Sequence, residues 1–422
     1  MFNQGLSLDQ APPVSVPFRF FLTAPVFGIL LGIVFFISPF ETISNQYSSL
    51  AIGAVHLFTL GILSMIMFGA MQQMMPVLAG AVIQKPNLFA NIVHTSLTLG
   101  TMGFCTYFLL DVKMALHIGV LFLAISFLTF FIYSIKILFQ VKFLTSTVKA
   151  MKFFALSGLI TLLIGLYIAS SHMSSNIGTN HYAFVNAHML FGLFGFAVLL
   201  IMGVSFQVIP MFYVARDFPK IFQEKAPLVI FILLFILSVF FFFNFDMFFL
   251  KTFLTVVLVA FAVLGIKSLN NRKRPVFDVT LWYWKFSLSM FLISLFIWLS
   301  NALESSYILA VVFAFGFLYS LLQGMVYKII PFLSWFHLTS KGYFNVPTLR
   351  EFINEKHIKY HFFFHVASVF SFALAFWINS FIYVAALLFI ASNILFLINC
   401  ISAIKKYSNI AKTDPMDMSA FK

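Results

Sequence analysis

Histidine is the side chain in this sequence best placed to do chemistry. Ten are present, and carboxylates are almost absent from the apolar stretches. A neutral imidazole can lend a lone pair to a transition metal or haem iron, or hydrogen-bond a neighbouring helix. His56 heads the run HLFTLGILSMIMFGAMQQMMPVLAG at 56–80, and His188 lies in NAHMLFGLFGF. Each is either an interhelical hydrogen-bonding group or a metal or haem ligand. His117, near the start of another apolar run, is a possible third ligand or an interfacial residue. His172 lies within the polar stretch SSHMSSNIGTN and His181 follows it, and both read as solvated, while the isolated His94 reads as structural. His357, His361 and His365 recur every fourth residue, so they form one stripe if their helix starts early. Paired histidines at this spacing can chelate a metal. Beside Lys356 and Lys359, however, the stripe reads as an interfacial helix start facing lipid headgroups.

The elements that carry these residues are membrane helices. Of the 422 residues 62% are hydrophobic and 9% charged, with a mean hydropathy of +1.03, more apolar surface than a soluble domain could hide. The 61 phenylalanines read as lipid-facing and packing mass. A net charge of +13 would suggest nucleic acid in a soluble protein, but here the basic residues fall in loops and nucleic acid is excluded as a partner. Cys105 and Cys400 form no CxxC and no disulfide framework. The polar start MFNQGLSLDQAPPVSVP lacks the basic region of a cleavable signal peptide.

Twelve apolar runs of spanning length fall near 17–38, 51–78, 88–110, 113–139, 150–170, 182–212, 226–244, 246–269, 281–300, 307–334, 361–379 and 381–403. Asn244 and Asp246 provide the only turn between the seventh and eighth. Lysine and arginine gather after the fourth, sixth, eighth, tenth and twelfth runs, for example Lys267, Arg272, Lys273 and Arg274. The positive-inside rule then places both termini in the cytoplasm and His56, His117 and His188 toward the outer face. Of the few acidic residues, Asp246 and Glu304 fall in outer loops. Gln72, Gln73, Gln207 and Lys328 fall near inner helix ends, where Lys328 can snorkel.

One frame recurs at identical internal spacing: Gly61, Gly69, Gln73 and Pro76; Gly195, Gly203, Gln207 and Pro210; Gly316, Gly324, Lys328 and Pro331. The copies are four runs apart, so one membrane domain over 1–422 is expected to contain three four-helix units, about 17–139, 150–269 and 281–403. The glycines read as close helix–helix contacts and the prolines as helix stops.

A twelve-helix, all-α polytopic membrane protein of three pseudo-symmetric four-helix units resembles the haem–copper oxidase subunit I superfamily. The resemblance rests on the repeat, on His56 near the outer start of the second span, and on His188 near that of the sixth. It implies a haem b ligated by His56 and copper ligated by His188. The oxidase pattern is incomplete. No His-His pair follows the sixth span, the tenth reads YILAVVFAFGFLYSLLQG without histidine, and Gly192 stands where the family has a tyrosine. The chain is therefore similar to the divergent, non-oxidase relatives, among them the NnrS-type proteins.

These features lead to a haem- and copper-binding protein of the bacterial inner membrane, with the lipid bilayer and respiratory-chain components as partners. Its role would lie in small-gas or respiratory redox chemistry, or in cofactor handling. Two rivals remain: a transporter of a small solute, and a cofactor-free assembly protein. The lack of intramembrane carboxylates argues against a proton pump.

Overall fold

The computed structural model describes residues 10–174, 176–300, 306–413 and 415. Glu304 and the polar N-terminal nonapeptide lie outside the described residues. The described chain is helical, with no strand. Its long helices are α1 Ser15–Ile37, α2 Ser49–Ala79, α3 Pro86–Leu110, α4 Lys113–Phe139, α5 Ser146–Ser174, α6 His181–Tyr213, α7 Lys220–Phe243, α8 Phe248–Asn270, α9 Thr280–Leu299, α10 Ser306–Ser340, α11 Glu355–Leu374 and α12 Phe381–Ile410. Ten of them are long and apolar enough to cross a membrane, as a multi-pass membrane protein requires. The exceptions are α3 and α11. In α3, Asn87, Asn91, His94 and several threonines dilute the apolar character, and α11 opens with Glu355, Lys356 and Lys359.

Local chemistry explains the helix ends. Asn244 takes the left-handed conformation (φ 53°) that ends α7, and the Asp246 carboxylate accepts the Phe248 amide at 2.9 Å to open α8. Asn354 caps α11, its side chain accepting the Lys356 amide at 2.9 Å. This cap starts the helix at Glu355, several residues before the apolar run begins.

The chain divides into two compact units. One comprises residues 71–275 and 291–303 and contains α3 to α8; the other comprises 13–70, 276–290 and 304 onward and contains α1, most of α2, the start of α9, and α10 to α12. In the first unit, glycines bring α3 and α4 together: a Cβ on Gly103 would lie 2.9 Å from Gly119 Cα. In the second, α12 packs along α1, α10 and α11.

Each helix of the repeated frame packs its two glycines on the long helix that precedes it. In the second unit, a Cβ on Gly61 would meet Phe27 Cγ at 2.6 Å, and one on Gly69 would meet Phe20 Cβ at 2.7 Å, both on α1. In the first unit, Gly195 and Gly203 of α6 face Ser157 and Ala150 of α5. In the second unit again, Gly316 and Gly324 of α10 face Met290 and Tyr283 of α9. The glycines are eight apart and their partners seven apart in all three cases. The same three helices widen into π-helical hydrogen bonding around the first glycine, at Leu57–Ser64, Phe191–Val198 and Val311–Tyr319. Such segments are uncommon and concentrate at functional sites.

The close approach is testable at Gly195. Gly195→Ala places a Cβ 2.6 Å from Ser157 Cβ and should cost about 1–3 kcal/mol by overpacking. Gly192→Ala meets Thr161 Cγ2 at an ordinary 3.4 Å and should stay within about 0.5 kcal/mol of wild type. Thermal unfolding of the detergent-solubilised protein separates the two.

Candidate functional site

His56 is the last residue of α2 before its π segment. Its Nδ1 lies 2.8 Å from the Ile52 carbonyl oxygen. A carbonyl only accepts, so Nδ1 carries the proton and the lone pair sits on Nε2. In the other unit, His188 precedes the α6 π segment by three residues, and its Nδ1 lies 3.0 Å from the Thr161 carbonyl of α5. The same tautomer follows. Gly165 makes room for this ring, since a Cβ there would lie 2.9 Å from His188 Cε1. Both imidazoles are half-buried.

His117 is exposed on α4, with Nδ1 3.2 Å from the Lys113 carbonyl one turn earlier. Among the described residues, no three or more His, Cys, Asp or Glu side chains gather to hold a metal. His117 and His188 therefore do not belong to a ready-made ligand cluster. His172, read from the sequence as a solvated loop residue, lies on the last turn of α5, half-buried, its ring 5.2 Å from that of Phe108.

The second unit contains a denser arrangement. His361 and His365 have no exposed surface. The expectation that this stripe faces headgroups therefore fails for both, whereas His357 is exposed. The reason is the Asn354 cap: with α11 starting at Glu355, His361 lies about 9 Å and His365 about 15 Å along the helix. His361 Nδ1 is 2.6 Å from the Tyr283 hydroxyl of α9 and 2.9 Å from the Tyr327 hydroxyl of α10. The Asn399 side-chain amide of α12 donates to Tyr327 Oη at 2.9 Å. Phe396 stacks on the His361 ring, centroids 5.2 Å apart and planes 7° from parallel. His365 Nε2 is 2.8 Å from Ser320 Oγ, and Ser320 donates to the Phe315 carbonyl at 3.0 Å, within the π segment of α10. Tyr319, beside Ser320, donates to the Asn393 side chain of α12.

Sequence reasoning weighed the histidines, glutamines and Lys328 but passed over Tyr283, Tyr327 and Asn399, because tyrosine counts toward aromatic mass. The usable signal was polar atoms recurring inside α9, α10 and α12.

Lys328 stands where α2 and α6 have glutamine. It does not simply snorkel but pairs with Asp278, just before α9, both side chains being largely buried. Asp278 also accepts the Thr280 amide at 2.9 Å and the Thr280 hydroxyl at 2.7 Å. Burial pushes the Asp278 carboxyl up, but the Lys328 ammonium and the Thr280 hydrogen bonds outweigh it and hold it below the usual carboxylate range.

No protein-family model matches the chain, and no curated protein matches it.

The ion pair yields a charge-balance prediction. A depressed carboxylate stabilises the fold above its unfolded pKa, and that contribution is lost as pH falls through the lowered value. Asp278→Asn strands the Lys328 charge and should cost about 3 kcal/mol. Adding Lys328→Gln should recover most of that loss and remove the acid-side drop in unfolding temperature expected of the wild type.

Proposed function

We propose that the chain is a twelve-span, haem-binding protein of the bacterial inner membrane, with both termini cytoplasmic. In this reading it is built from three four-helix units and resembles the haem–copper oxidase subunit I superfamily. Support for the repeat comes from the shared glycine pair and π segment of α2, α6 and α10. The observation that carries the cofactor reading is the orientation of two imidazoles. His56 and His188 each donate Nδ1–H to a main-chain carbonyl, which places the lone pair on Nε2 as in metal-ligating histidines.

The fit is a fit of single ligands. α10 has Leu309 and Val311 where a partner histidine would stand. Within the same unit, Phe58 packs on Phe315 and Tyr319, closing that face of α2 with aromatic rings. His56 would thus be the residue to hold a haem b, and His188 would serve copper. A bound haem would supply an iron centre for nitric-oxide or other small-gas chemistry, or for respiratory electron transfer. The chain's part is to fix each ring's tautomer and hold it half-buried beside a π segment.

The protein purified from a haem-replete host should show a Soret band in the reduced-minus-oxidised spectrum and bind iron. His56→Ala and His188→Ala should each abolish or shift the metal signal, and His361→Ala should leave it unchanged. Absence of a Soret band with substoichiometric iron and copper overturns the reading, and solute flux into liposomes would then favour a transporter.

A further inference from the structure

In the first unit, the ends of α6 and α8 are tied together, and the tie gathers positive charge beside a groove. The chain leaves α6 at Val214, which takes the left-handed conformation (φ 50°). A β-branched residue adopts it only where its surroundings hold it there. The Val214 carbonyl accepts the Lys273 amide at 3.0 Å, and the Arg216 carbonyl accepts the Ser268 hydroxyl at 2.6 Å. Phe218 is buried, its ring 6.2 Å from that of Phe261 on α8 and nearly parallel to it. The α6–α7 connection is thereby fixed against the end of α8. Residues 214–225 and 267–274 carry seven lysines and arginines against Asp217 and Glu224, so this end is strongly positive. Arg216, Lys267, Lys273 and Arg274 are exposed. A groove of about 320 Å³, open on one side, lies here along α8, lined by Val263, Ile266, Lys267, Asn270 and Asn271.

We propose that this groove is a binding site for an anionic phospholipid. Its lining is apolar at one end, at Val263 and Ile266, and polar at the other. The exposed face of α8 continues the apolar wall back through Val256 and Phe253, so an acyl chain has a track to follow. At the polar end, the Lys267 ammonium supplies charge, and the Asn270 and Asn271 carboxamides supply N–H donors for phosphate oxygens. The open carbonyls at the end of α8 oppose an anion. Four exposed cations around them outweigh that partial charge. Basic clusters beside a membrane helix attract anionic headgroups in general. What distinguishes this one is the groove, which ties the charge to an apolar track. A free phosphate would use only the polar end, whereas a phospholipid uses both. The inference is independent of the haem reading and involves no histidine.

Native mass spectrometry of the full chain in detergent micelles provides the test, with phosphatidylglycerol and phosphatidylcholine titrated side by side. The wild type should retain phosphatidylglycerol in preference to phosphatidylcholine. Lys267→Gln should reduce that preference about fivefold, the effect of one basic residue at a membrane surface. Val263→Trp keeps every charge but fills the groove, and it should also weaken retention of phosphatidylglycerol. Lys142→Gln, an exposed basic position in the α4–α5 connection, should leave the preference unchanged. Inorganic phosphate at the lipid concentration should not displace the bound lipid. Equal retention of the two lipids, no change in either Lys267→Gln or Val263→Trp, or a loss in Lys142→Gln as large as in Lys267→Gln overturns the site. Displacement by inorganic phosphate overturns the assignment to a lipid.

Discussion

At six positions on α2, α6 and α10, the absence of a Cβ lets a backbone approach its neighbour closely. Gly61 and Gly69 pack against α1, Gly195 and Gly203 against α5, and Gly316 and Gly324 against α9. Among membrane helices the usual hydrophobic drive is missing, because lipid tails are as apolar as leucine. Van der Waals contact between closely approaching backbones then does most of the joining. Once those three contacts are set, other features fall in place around them. The π segments sit at the first glycine of each pair, and His56 and His188 lie just before them. In the second unit Tyr283, which receives Gly324, also supplies a hydroxyl to His361.

The two groups of histidines solve the same problem differently. Where water is scarce a polar ring needs partners. His56 and His188 use one main-chain carbonyl each and stay half-buried. His361 and His365 are sealed among side chains from α9, α10 and α12 and rely on hydroxyls, which both donate and accept. A carbonyl locks a tautomer, whereas a hydroxyl leaves it free to change. The first pair therefore suits a fixed ligand.

Much of the architecture was legible in the sequence because lipid imposes a simple rule on composition. Apolar runs, basic loops and the glycine frame located the ends of the long helices to within about seven residues, and Asn244 with Asp246 marked the α7–α8 turn correctly. The inner site was less legible for two local reasons. The cap at Asn354 adds a turn and a half of polar helix before the apolar run, which moves His361 and His365 from the boundary into the core. Tyr283, Tyr327 and Asn399 are brought to His361 by tertiary packing, which spacing along one helix cannot reveal. Asp278 was likewise invisible as the partner of Lys328, being 50 residues away in sequence.

The π segments also bear on how such a chain can change over time. A π turn holds one residue more than an α turn, so everything on one side of it is rotated by about 100° against the other. In α2, α6 and α10 the second glycine, the glutamine or lysine, and the proline lie on one side of this offset, while the residues before it lie on the other. The heads of these helices can thus diverge, histidine in two and Leu309 or Val311 in the third, without disturbing the register of the tails. Deleting a single residue within such a segment would swing the head onto a new neighbour and leave the glycine seam intact.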